Sequence, residues 1–119
     1  MLIKKKNSAS VPREDAHGGS GGRRLYVTNG DLENRDFSAM TYTLIPTGGV
    51  FDWHHHDGVE EIMLVLTGKG TVEDRDGKYQ YSAGDLFIFP HNIEHRIENQ
   101  DDQENEFIFV RLQIGRAHV

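Results

Sequence analysis

Three histidines stand side by side at His54, His55 and His56, and two glutamates follow at Glu60 and Glu61, just ahead of the apolar run "IMLVL". Side chains alternate faces along a β-strand, so a strand through this stretch turns His54 and His56 one way and His55 the other. Two imidazoles on one face can share one metal ion. Asp57-Gly58 permits a turn, after which Glu61 opens the next strand in position to bring an oxygen ligand to the same ion. Nitrogen and carboxylate donors with open positions left over suit Fe(II), Mn(II), Ni(II) or Zn(II). The chain has no cysteine, which excludes thiolate metal sites, a cysteine nucleophile and a disulfide framework. The plain alternative is a solvated loop or a tag relic; it fits poorly with an internal run flanked by strand-like sequence.

Such a constellation needs strands to position it. After Arg23 the chain breaks into short stretches rich in β-branched and aromatic residues, separated by Gly, Asp, Asn and Pro. That pattern predicts strands near 24–28, 39–45, 50–56, 61–66, 70–75, 78–82, 86–89, 95–98 and 106–114, with no long amphipathic helix. Asp76-Gly77 reads as a two-residue type I′ hairpin turn, and Ala83-Gly84-Asp85 as a second tight turn. The acidic segment 99–106, "NQDDQENE", reads as a solvated loop. Many short strands without a crossover helix predict an all-β sandwich or barrel.

"IMLVL" and "LFIF" are continuously apolar instead of alternating, which implies cover on both faces. A homodimer packed sheet to sheet would supply it, as would an N-terminal arm folded over one face. Residues 1–22 are polar and Gly/Ser-rich and read as such an arm, leaving 23–119 as one domain.

The length and composition agree. At 119 residues, 36% of them apolar and 27% charged, the chain suits one globular core. A net charge of -6 disfavours a nucleic-acid surface. The lysines at 4–6 are not followed by an apolar stretch of signal-peptide length, and no run is long enough to span a membrane, so a cytoplasmic protein is the default expectation.

At this level of detail the chain resembles the cupin family. "GGVFDWHHHDGVEEIMLVLTG" is similar to the first cupin motif, with Gly48, His54, His56, Glu61 and Gly68 at its spacing. "GDLFIFPHNIEHRIEN" is similar to the second, with Gly84, Pro90, His95 and Asn99. Asn92 stands where the second motif usually has Gly, a change that the tolerance of Asn for positive φ should absorb. The resemblance implies an antiparallel jelly-roll β-barrel, also called a double-stranded β-helix, with one divalent metal inside held by His54, His56, Glu61 and His95. Glu60 competes for the carboxylate role, and the seven positions from Glu61 to Gly68 favour Glu61.

Around that set, His55 and His91 read as ordinary polar residues, with a supporting or acid/base role for His91 as the sharper alternative. His17 reads as a surface histidine, with reach to the site or to a second subunit as its alternative. Arg96 and Arg111 are both candidate clamps for a substrate carboxylate. Tyr42, Phe51, Trp53, Phe87, Phe89 and Phe109 read first as core and second as pocket wall.

Four protein ligands on a six-coordinate ion would leave about two positions for a small substrate. The expected function is a metalloenzyme acting on a small oxygen-rich molecule, as a dioxygenase-type oxidoreductase or as an isomerase or lyase. The alternative is a non-catalytic metal-containing barrel that binds or senses a small ligand.

Overall fold

The computed structural model describes residues 3–114. Ten strands follow in chain order: β1 (Arg13–Ala16), β2 (Gly21–Thr28), β3 (Phe37–Ile45), β4 (Val50–His54), β5 (Val59–Thr67), β6 (Gly70–Asp74), β7 (Gly77–Tyr81), β8 (Leu86–Phe89), β9 (His95–Asn99) and β10 (Asn105–Gln113). They form an antiparallel six-stranded sheet in the order β1-β2-β3-β10-β5-β8 and a four-stranded sheet in the order β4-β9-β6-β7. The sheets stack as a jelly-roll sandwich without closing on each other, so the expected all-β jelly roll stands. No helix is long and apolar enough to cross a membrane among the described residues.

Each predicted strand has a counterpart, and four local features differ. Strand β1 lies inside the segment read as a structureless arm, and β2 starts at Gly21. Arg13–Ala16 shows three exposed residues and one buried, so no apolar period marks it; backbone pairing to β2, Arg13 opposite Arg24 through Ala16 opposite Gly21, holds it. The hairpin turn is Arg75-Asp76, one residue earlier than expected, because Asp74 Oδ1 accepts from the backbone N–H of both Asp76 and Gly77 and closes an Asx-type turn that needs no positive φ. The acidic loop is anchored at both ends by buried amides. Asn99 donates to the carbonyls of Ile45 and Gln103 (2.9 and 2.8 Å), and Asn105 donates to Lys69 O and Tyr81 Oη (3.0 and 2.7 Å). Lastly, β4 ends at His54, short of the predicted His56. Residues 115–119, to which the sequence reading extends the domain, lie outside the described residues.

Between the sheets sits one core of Ile45, Phe51, Met63, Val65, Val72, Tyr81, Phe89, Ile97, Phe107 and Phe109, with Ala16 at its rim. Gly68, at φ 102°, shows how tightly the strand ends pack: a Cβ there would lie 1.8 Å from Asn105 Oδ1, so only glycine fits. Asn92 takes φ 63°, as its place in the motif requires. It does more than a glycine would, because its Oδ1 accepts from Gly58 N (3.3 Å) and its own N–H donates to His56 O (3.3 Å).

The outer face of the six-stranded sheet is also apolar. Register places Ile62 beside Ile88 and Leu64 beside Leu86, then Val110 beside Ile62 and Ile108 beside Leu64. Leu86 and Ile88 are 66% and 72% exposed. Tyr42 belongs to this face and not to the core; its hydroxyl bonds Glu106, which also accepts from Thr67.

Candidate metal centre

His54 and His95 are cross-strand partners, and a register shift between Phe51 and His54 lets both Phe51 and His54 face the interior. Each imidazole is oriented by the backbone two residues before it. His54 Nδ1 lies 2.6 Å from Asp52 O, and His95 Nδ1 lies 3.0 Å from Ile93 O. A carbonyl can only accept, so Nδ1 carries the proton in both rings and Nε2 keeps its lone pair.

Glu61 comes from the opposite sheet and is 3% exposed. Its cross-strand partner is Arg111, whose Nε donates to Glu61 Oε2 at 2.9 Å while Nη2 donates to His56 Nε2 at 2.9 Å. One guanidinium therefore spans both residues.

The ligand atoms of His54, Glu61 and His95 all lie within 4.8 Å of one another. Glu61 Oε1 is 3.8 Å from His95 Nε2 and 3.4 Å from His56 Nε2, yet Glu61 Oε1 and His95 Nε2 are both buried with no hydrogen-bond partner. Burial, the largest cause, pushes the pKa of His56 and of His95 below the ordinary histidine range, which favours neutral rings and leaves the Nε2 lone pair of His95 available. Two buried acceptors facing each other without a donor are costly alone, and a cation between them relieves the cost. The donor set of imidazole and carboxylate fits a divalent transition metal.

The other sequence candidates fall into place around this cluster. His56 adjoins it with Nε2 engaged by Arg111. His55 is exposed and 3.2 Å from Asp57, as alternation predicts although the strand has ended; Glu60 and His91 are exposed too. Arg96 pairs with Asp52, Glu73 and Glu98 away from the cavity, leaving Arg111 as the candidate clamp that lines it. His17 reaches the site: its ring stacks on Phe51 with centroids 3.9 Å apart and meets the edge of His54 at 4.6 Å. Its outer edge is open to solvent, while burial of the stacked side, followed by the neighbouring His54, pushes its pKa down.

A cavity of about 310 Å³ opens beside the cluster, lined on the imidazole side by His54, Phe51 and Ile97 and on the other by Glu61, Arg111 and Phe109. Asp15, Ala16, His17, Arg23, Thr41 and Thr43 complete its wall, and of these sequence reasoning singled out only His17. Strand parity held the signal for Arg23, which pairs with the inward Thr43 once β2 is begun at Gly21.

Comparison with known proteins agrees with this architecture. An uncharacterized protein of Methanocaldococcus jannaschii, MJ1618, is 30% identical over 61 residues, which is 51% of this chain and 49% of that protein, so the match spans about half of the relative's length. Among solved structures, a predicted oxalate decarboxylase from Thermotoga maritima superposes with a TM-score of 0.80 at 22% identity, covering 95% of this chain and 99% of the other. The polyketide cyclase RemF from Streptomyces resistomycificus superposes with a TM-score of 0.77 at 18% identity, covering 96% and 81%. At these identities the two structures speak for the fold, and their names include enzymes. The cupin domain family model matches residues 41–111, the stretch that carries every residue of the His-Glu-His cluster, and on that match the chain belongs to the cupin domain family.

Proposed function

We propose that this protein is a metal-dependent cupin enzyme that acts on a small oxygen-rich substrate, holding one divalent transition metal (Fe, Mn, Ni or Zn) with His54, Glu61, His95 and His56. The observation that supports it most directly is the pair of buried, donorless acceptors, Glu61 Oε1 and His95 Nε2, 3.8 Å apart. When bound, the ion supplies Lewis-acid polarisation of a substrate oxygen, the chemistry common to oxidoreductase, isomerase and lyase cupins.

The chain's own residues do the rest. The carbonyls of Asp52 and Ile93 fix the tautomers of His54 and His95, which orients their lone pairs inward. Arg111 holds Glu61 in place; for His56 to ligate, it gives up its bond from Arg111 Nη2. Phe51, Ile97 and Phe109 give the cavity wall its apolar part, which lowers the effective dielectric beside the buried Glu61.

The working form on this reading is a homodimer. The outer face of the six-stranded sheet is apolar and uncharged along Ile62, Leu64, Leu86, Ile88, Ile108 and Val110, whereas a chain of net charge -6 repels its copies elsewhere. An apolar face of that kind complements itself across a two-fold axis.

Elemental analysis of tag-free protein purified without chelator tests the metal. One transition-metal ion per chain is expected; His54→Ala, His95→Ala and Glu61→Gln should each abolish it, and His55→Ala and Glu60→Gln should keep it. Equal loss in all five, or no ion after anaerobic reconstitution, would overturn the site.

A further inference from the structure

We propose that the cavity takes a small acid with two separated oxygen functions, one at the imidazole cluster and a carboxylate at the far end received by Arg23. This deepens the metalloenzyme reading and rests on it.

Arg23 lines the same cavity as His54 and Glu61 but stands at its opposite end. On the inner face of the six-stranded sheet, Arg111 is opposite Ala39 while Arg23 is opposite Thr43, four positions along β3. At the rise of a β-strand that is on the order of 13 Å at the backbone, shortened by the side chains reaching in from both ends. Thr41 lies between them, its hydroxyl 2.9 Å from that of Thr43; one O–H in that pair is left to donate elsewhere.

Arg23 is also the less committed of the two cavity guanidiniums. Arg111 stays on the buried Glu61 through Nε even when His56 turns from Nη2 to the ion. Glu14 takes only Nε of Arg23, at 2.7 Å, and both side chains are substantially exposed, 38% and 51%. No other acceptor among the described residues reaches this guanidinium, so both terminal nitrogens stay available, and a solvent-exposed pair of this kind holds its members weakly. A planar fork of free N–H donors at a cavity wall matches a carboxylate.

The charge balance points the same way. Two guanidiniums, Arg23 and Arg111, face two carboxylates, Asp15 and Glu61, in the lining. A divalent ion added to that balance leaves the cavity positive, and an anionic ligand neutralises it. At about 310 Å³ the cavity is at the small end of ligand sites, which suits a short acid.

The test uses two acids that differ only at the far end, 2-hydroxyglutarate and 2-hydroxypentanoate. Both chelate through the 2-hydroxy acid; the second replaces the distal carboxylate with a methyl group. Calorimetric titration of the metal-loaded full chain should show the dicarboxylate binding about tenfold tighter, the equivalent of one charge-assisted hydrogen bond. Arg23→Gln should erase that preference with metal content unchanged, Arg23→Lys should restore part of it, and Glu14→Gln should increase it. A metal-loaded protein with no distal preference at millimolar acid, or a preference that survives in Arg23→Gln, overturns the proposal and leaves the metal site standing. Absence of the ion from the wild-type protein overturns both.

Discussion

On strand β5, Met63 and Val65 are 0% and 1% exposed, while Ile62 just before them and Leu66 just after are each 37% exposed. All four are apolar, and on composition alone they are interchangeable. What separates them is the layer each side of the strand meets: the inner side meets Phe107 and Phe109 on the neighbouring strand and the four-stranded sheet beyond, and the outer side meets solvent in the single chain. The inner side also carries the chemistry, since Glu61 is in phase with Met63 and Val65. Burial of Glu61 and burial of the core are one consequence of the same strand parity.

The comparison breaks most visibly at Phe107, 0% exposed on the inner face. Phe107→Ala should lower unfolding free energy by about 3–5 kcal/mol, as for large cavities in close-packed cores, measured by denaturant unfolding. Its outer counterpart behaves differently. Ile88→Lys should leave the folding of the chain within about 0.5 kcal/mol, as surface substitutions do, and should convert a dimer to a monomer in sedimentation; an unchanged sedimentation coefficient would remove the second copy from the outer face.

The smallest effect expected comes from Tyr81 at the sandwich edge, where burial raises the phenol pKa from its usual 10.0 to about 12. The folded protein keeps that proton longer than the unfolded chain, so the associated stability is fully present below pH 10 and is lost as pH rises through 12. Alkaline unfolding monitored across this window should be flatter in Tyr81→Phe, allowing for the lost hydrogen bonds to Glu98 O and Asn105.

Much of this was readable in the residues. The spacing of the two motifs pointed to His54, Glu61 and His95 and favoured Glu61 over Glu60, whereas alternation, which paired His56 with His54, did not foresee that β4 ends at His54 and that His56 lies outside the cluster. The rest was not readable for identifiable reasons. Strand β1 has no apolar face to betray it, and it is held by backbone hydrogen bonds that any sequence can make. Asn99 and Asn105 looked like members of a polar loop because burial of an amide depends on carbonyls brought from elsewhere. The engagement of His56 by Arg111 joins residues 55 positions apart, and no local pattern encodes such a pair.

The imidazoles of His54 and His95 belong to the four-stranded sheet and the carboxylate of Glu61 to the six-stranded one. An ion gripped by all three is therefore a rivet through two otherwise unclosed layers. Because it would bind the stacked sandwich and not the separated layers, it would add to the stability of the whole fold by mass action.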